Sequence, residues 1–296
     1  MGNCLISLLL PTRGRTSLVT RLFESIAKNT YHLDQVEVVL YVDEDDLESH
    51  DLNSVDFRVV RIIGPALSMG GYNSACLNKA QGDVLILAND DMVIQTTGWD
   101  DRVRALNVEF EGHIYLGYAN DLFKKSRFCT FPIISRRTCE LLGNPYPAAY
   151  QRFFIDVHLF DIFKRLQHAG FDCIRFCDDL VFEHCHYNNG KAPYDETYHR
   201  GRNGRFADDL TYIALTAMRS AAAKRLLREI RNERITIVDY PVPQDIFLTG
   251  VRGDIGLLSF KFLRDAELPY RWRLFLWCWF IGRYLAVNGF MRPFVR

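Results

Sequence analysis

The sequence predicts an α/β fold built on a mixed, mainly parallel sheet and extended at its C-terminus by a helical region. Three observations predict it. Five consecutive apolar residues, Val84 to Ala88, show no polar alternation, which suits a strand buried on both faces of a parallel sheet. Over roughly the first ninety residues, strand-like and helix-like patterns follow the order strand, helix, strand, strand, helix, strand, the rhythm of a nucleotide-binding half-sheet. From Leu210 the composition becomes Ala- and Arg-rich with strong helix propensity, then basic and aromatic. The expected division is therefore 1–210 for the α/β domain and 211–296 for the helical region.

Composition sets the bounds. With 296 residues, 48% hydrophobic and 24% charged, the chain is globular and long enough for a sizeable core plus an appendage. Thirty-six basic and thirty-six acidic side chains cancel, so net charge makes no case for a nucleic-acid partner. From Arg252 onward, however, eight Lys/Arg face three Asp/Glu. The eight cysteines form no Cys-x-x-Cys pair, and a chain of this size needs no disulfide staples, so a reduced, cytoplasmic protein is expected. Leu5 to Leu10 runs into Pro11 with no basic residue before it and no cleavage site, which reads as a first strand rather than a signal peptide. Met1-Gly2-Asn3-Cys4 lacks the Ser or Thr that myristoylation wants where Ile6 stands.

In chain order, Leu5 to Leu10 is the first strand, closed by a Pro11-Thr12-Arg13-Gly14-Arg15 turn that leaves two guanidinium groups at a strand end. Thr16 or Ser17 can cap the next helix, which carries Leu18, Leu22 and Ile26 on one face. Val36 to Val42 ends in Asp43-Glu44-Asp45-Asp46, and Phe57 to Ile63 ends in Gly64-Pro65. A helix from about Tyr72 to Ala80 returns the chain to the Val84 strand, which stops on Asn89-Asp90-Asp91. In open α/β sheets ligands bind beyond the carboxyl ends of such strands. Two acids and an amide there are hard oxygen donors of the kind that hold Mg²⁺ or Mn²⁺ beside substrate phosphates; a plain acidic turn is the competing reading. No Gly-x-Gly-x-x-Gly follows strand one, so acids rather than a glycine loop handle the ligand.

The order Pro11-Thr12-Arg13-Gly14-Arg15, Val42-Asp43, Tyr72-Asn73, Ala80-Gln81-Gly82-Asp83 and Asn89-Asp90-Asp91 resembles the GT-A glycosyltransferases of the large family-two type. The resemblance covers roughly residues 5 to 200. It implies that Asp43 meets the base of a nucleotide-sugar, UDP-linked in this reading, with Pro11, Arg13 and Asn73 nearby. It implies further that Asn89-Asp90-Asp91 is the DXD motif, with Asp91 as metal ligand and Asn in the first place where the pattern has Asp. The expected cofactor is Mn²⁺ or Mg²⁺, and the expected partners are the donor and a carbohydrate or other hydroxyl acceptor.

Beyond the acids, Trp99 reads as a core anchor, 114–119 and 128–134 as strands, and Arg136 to Gly143 as a short helix with a glycine stop. The Pro- and Tyr-rich loop Asn144 to Tyr150 fits an acceptor side. Phe153 to Phe171 reads as a helix, with Ile155, Leu159, Ile162 and Leu166 on one face and Gly170 ending it. By the resemblance, a carboxylate at this helix start is the general base. Asp156, at the first turn, is assigned that role although the family has Glu-Asp where Ile155-Asp156 stands, and its plain reading is an N-terminal cap. Asp161 is expected in an exposed (i, i+4) pair with Arg165. His184 and His186 would lie on one strand and point the same way, as candidates to complete the metal shell; a zinc cluster with Cys173 and Cys177 matches no finger spacing. Lys191, Arg200, Arg202 and Arg205 could cover a diphosphate or form a solvated surface.

Trp272 to Leu285 is the most apolar piece of the chain, but its unbroken run from Leu274 to Gly282 is far short of the roughly 18 residues that span a bilayer. Tryptophans beside arginines suit a peripheral membrane contact, a domain-packing helix or a homo-oligomer interface. The expected activity is that of an inverting, metal-dependent hexosyltransferase. Two alternatives are a sugar-phosphate nucleotidyltransferase, whose Gly-rich first loop Pro11 to Arg15 matches poorly, and a non-catalytic carbohydrate or membrane adaptor.

Overall fold

In the computed structural model the described residues are 4–192, 206, 208–233, 241–243, 246, 248 and 250–290. Eight strands, β1 (Ile6–Thr12), β2 (Val36–Asp43), β3 (Arg58–Gly64), β4 (Val84–Leu87), β5 (Met92–Ile94), β6 (Leu116–Asn120), β7 (Pro132–Ser135) and β8 (Ile174–His184), form one sheet in the order β3-β2-β1-β4-β7-β6-β8-β5. The pairs β1/β2, β1/β4, β2/β3 and β6/β8 are parallel. β7 runs against both its neighbours, and β5 runs against β8. One edge of the sheet thus gathers the carboxyl ends of β1, β2, β4, β6 and β8.

The unalternating strands feed two cores. Leu9, Val39, Leu85 and Leu87 join one apolar cluster, while Ile6, Leu8, Leu10, Val38, Leu40, Val84 and Ile86 join the other. Successive side chains point to opposite faces, so a continuous apolar run is what a sheet covered on both sides requires. The second cluster is closed by α1 (Thr16–Asn29) and α3 (Trp99–Glu109), through Leu22, Ile26, Trp99 and Val103. The first is closed by α2 (Met69–Lys79), α4 (Arg136–Leu142) and α5 (Ile155–His168), and it continues into α6 (Asp208–Ala214), α7 (Thr216–Ile230), α8 (Val251–Leu263) and α9 (Tyr270–Val287).

Several boundaries differ from expectation. Pro11 and Thr12 belong to β1, because Pro11 pairs only with Tyr41 of β2, beyond the last β4 partner at Leu9, where its missing N–H costs no ladder bond. No Thr16 or Ser17 side chain caps α1, whose N-cap is Arg15. The helix expected from Tyr72 begins at Met69, since the Ser68 hydroxyl accepts from the Gly71 N–H at 3.1 Å. His186 lies just beyond β8 and opens a 3₁₀ turn; only His184 is on the strand.

The largest correction concerns Asp161. Arg165 does reach it, at 3.2 Å, but the carboxylate is fully buried and also accepts from Arg219 Nε of α7 at 2.8 Å and Trp272 Nε1 of α9 at 3.0 Å. The face that looks solvated in α5 is roofed by helices from the far end of the chain. Trp272, Leu276 and Phe280 of α9 point into the core, with Trp272 edge-on to Phe160 at 5.2 Å and Phe280 stacked on Phe154 at 5.4 Å. No helix among the described residues is long and apolar enough to cross a membrane.

Gly70 is required by a close approach. A Cβ there would lie 2.0 Å from the Pro147 carbonyl oxygen, where α2 meets the 144–150 loop and Gly70 N–H donates to Tyr150 O at 3.1 Å. The clash is with backbone, so Gly70→Ala is expected to cost about 1–3 kcal/mol, read from a urea melt. A stability equal to wild type would show that the loop yields freely.

Candidate active site

Asp43 ends β2 and is 1% exposed. Its carboxylate accepts from Arg13 and, at 2.6 Å, from the Tyr72 hydroxyl of α2; Arg13 also makes a two-nitrogen pair with Asp45 at 2.7 and 2.6 Å. Burial and the neighbouring Asp43 push the Tyr72 hydroxyl well above its ordinary range, so it stays a donor. The Asn73 amide is turned into its own helix and donates to Met69 O at 3.0 Å. Pro11 is half-buried at the end of β1.

The β4 strand delivers Asn89, Asp90 and Asp91 to the same edge. Asn89 is exposed. Asp90 turns inward, accepting from the Thr12 hydroxyl at 3.0 Å and Arg15 Nη1 at 2.9 Å. Burial pushes its carboxyl up to about 6, against the pull of Arg15. Asp90 therefore ties the loop to β1.

Asp91 faces the other way. The antiparallel pairing of Met92 with His184 and the bond from Cys185 N–H to Asp91 O at 2.8 Å lay β8 alongside, bringing His184 Nε2 to 3.3 Å from Asp91 Oδ2. His186 stands beside it, ring centroids 5.1 Å apart. One ligand atom from each of Asp91, His184 and His186 lies within 4.8 Å of the others. The chemistry of this donor set fits a divalent ion. His186 Nδ1 accepts from Asn188 N–H at 3.1 Å, and burial with the neighbouring His184 holds its pKa down at about 4, so the ring stays neutral, the form in which an imidazole can bind a metal. The metal-ligand cluster that holds these histidines contains no cysteine, so the zinc alternative with Cys173 and Cys177 has no support. His32, Asp100 and Asp101 also cluster, but Asp100 is occupied by the Tyr31 and His32 N–H groups at 3.0 Å each and by Arg104 at 2.7 Å.

Asp156 lies in the first turn of α5. Its carboxylate accepts from the Val157 N–H at 2.8 Å, and burial pushes its pKa up to about 6 while the field of His184 pulls the other way. The approach to the helix is unusual: Phe154, just before it, has φ of 72°, a left-handed conformation that costs a non-glycine residue free energy. Its ring is held by Tyr212 at 5.3 Å and Phe280 at 5.4 Å. The C-terminal helices thereby fix the backbone that aims Asp156.

Sequence reasoning missed the partners that orient these groups. Arg15 and Thr12 were visible as polar residues at a strand end, but nothing in the chain pairs them with Asp90. Asp121 was not singled out; it gathers the N–H groups of Phe123, Lys124 and Lys125 at 2.9, 2.7 and 2.7 Å, and its carbonyl accepts from His184 N–H at 3.1 Å. The Asp-x-x-x sequence of an Asx-type turn was the available signal. Lys191 pairs with Glu183. Arg200, Arg202 and Arg205 lie outside the described residues.

No protein-family model matches the chain, and no curated protein matches it by sequence. Among solved structures it is similar to the mannosyltransferase PcManGT from Pyrobaculum calidifontis in complex with GDP-Man and Mn²⁺, at 13% identity over 97% of this chain and 76% of that one, with a TM-score of 0.49. It is similar also to S. aureus TarS 1-349, at 14% identity over 98% and 91% of the two chains, with a TM-score of 0.48. A third is glucosyl-3-phosphoglycerate synthase from Mycobacterium tuberculosis in complex with Mn²⁺, uridine-diphosphate and phosphoglyceric acid, at 17% identity over 76% and 78%, with a TM-score of 0.42. In this chain's own topology, a parallel β3-β2-β1-β4 half-sheet is followed by an antiparallel β7 and the returning β6/β8 pair, the mixed α/β architecture that the GT-A resemblance implies.

Proposed function

We propose that the chain is an inverting, metal-dependent glycosyltransferase that moves a sugar from a nucleoside-diphosphate sugar to a hydroxyl acceptor. The observation that carries this reading is the cluster of Asp91, His184 and His186 at the sheet edge where Asp43 also ends, with a half-buried Asp156 in the field of His184. Asp43, braced by Tyr72 and Arg13, is a directional acceptor for the N–H of a base. A divalent ion at Asp91 would offset the charge that develops on the departing diphosphate. A set of two imidazoles and one carboxylate favours Mn²⁺ over Mg²⁺, because imidazole is a poor ligand for the harder ion. Asp156 accepts the acceptor's proton as its oxygen attacks the anomeric carbon from the face opposite the diphosphate, which inverts the centre. Eight free thiols suit a reducing compartment such as the cytoplasm.

Asp156→Asn tests the role of the base. Asparagine keeps shape and hydrogen bonding but cannot take a proton, so transfer should fall roughly 10²-fold while donor binding, read by thermal shift with UDP- and GDP-sugars, survives. The wild-type rate should rise with pH through a limb at or below about 6, since the raised carboxyl must ionise to act and a bound cation would lower it. The variant should lack that limb. An Asp156→Asn enzyme with full turnover would remove the base assignment.

A further inference from the structure

α8 and α9 lie antiparallel, tied by Trp277 Nε1 to Ser259 Oγ at 2.9 Å near one end and Tyr284 hydroxyl to Asp254 at 2.6 Å near the other. Their inner faces, with Leu258, Phe262, Trp272, Leu276 and Phe280, are core. Helical spacing puts Phe260 of α8 and Leu274 and Cys278 of α9 on the opposite, outer side. Phe260 is 57% exposed, Leu274 is 39% exposed and Cys278 is exposed. A helix apolar all round is ordinarily buried on every side, yet this hairpin is buried on one. The charges on its outer side have one sign. Arg252, Arg264 and Arg271 are exposed, and Arg264 lies over the Phe260 ring at 5.5 Å. The acids of the segment are turned away: Asp254 is buried, Asp265 holds Arg165 at 2.6 Å, and Glu267 holds Lys224 at 2.6 Å.

We propose that the outer face of the α8–α9 hairpin docks on an anionic lipid surface, with Phe260, Leu274 and Cys278 entering the interface and Arg252, Arg264 and Arg271 meeting headgroup phosphates. Charge complementarity selects this occupant. A two-fold contact with a second copy would set the three arginines against their own kind, whereas a negative leaflet attracts each of them.

The experiment uses the full chain, sedimented with vesicles of phosphatidylcholine alone or with added phosphatidylglycerol. Binding is expected to the anionic vesicles only, and to fall as salt rises. Arg264→Glu with Arg271→Glu, and separately Phe260→Ser with Leu274→Ser, should each lower the lipid partition coefficient roughly tenfold or more, with melting temperature and donor hydrolysis unchanged. Absence of binding, equal binding to neutral vesicles, or variants that partition like wild type would overturn the proposal. So would light scattering showing a dimer that Phe260→Ser with Leu274→Ser converts to monomer, which would assign the face to a second copy.

Discussion

Replacing Asp91 by asparagine is expected to lower transfer by roughly 10³-fold, on the order of several kcal/mol of lost charge stabilisation. Of the three acidic-loop residues, only Asp91 presents its carboxylate to the two histidines, with Oδ2 at 3.3 Å from His184 Nε2. Asparagine fits the same space but carries no charge, so Mn²⁺ affinity measured by calorimetry should fall with the rate. The fold should survive, because the bond that registers β5 beside β8 runs from Cys185 N–H to the Asp91 carbonyl, which the change leaves intact. Stability within about 1 kcal/mol of wild type is expected. Asp90→Asn offers the contrast: its carboxylate is engaged by Thr12 and Arg15, so its loss should loosen the loop and weaken the fold more than Asp91→Asn does. Unchanged Mn²⁺ affinity in Asp91→Asn, or a collapse of the fold, would move the metal site elsewhere.

Asp161→Ala should be the most destabilising single change in the C-terminal interface, at about 3–5 kcal/mol, because it strips the buried Arg219 guanidinium of its carboxylate partner and leaves Arg165 only its pairs with Asp265 and Glu267. For a chain of this size that is a fall in melting temperature of roughly 10 °C. Burial alone would raise the Asp161 pKa, but Arg165 and Arg219 outweigh it and hold the group at about 2, below the ordinary 3.8. The folded state therefore binds this proton less readily than the unfolded chain. The stabilisation is complete above about 3.8 and is lost as pH falls towards 2. An acid-unfolding curve should show a stability loss across that window that Asp161→Ala lacks. A variant that melts within about 1 kcal/mol of wild type would mean the hub contributes nothing beyond an exposed ion pair.

The local pattern determined the α/β class, the strands that build the half-sheet, and the acids at the ends of β2 and β4. Each of these is a property of a short segment: an unalternating apolar run reads as a strand covered on both faces, and its polar terminus reads as the edge where ligands bind. What each polar residue faces was not legible there. Asp90 and Asp91 are adjacent, yet one ties its loop to β1 and the other looks at histidines about ninety residues later. Asp161 shows the same limit in reverse. Its spacing from Arg165 is that of an exposed helical pair, and only the packing of Arg219 and Trp272, far along the chain, makes it a buried hub. Spacing within an element sets which residues share a face; what covers that face depends on contacts between segments distant in sequence, and only the tertiary structure decided those.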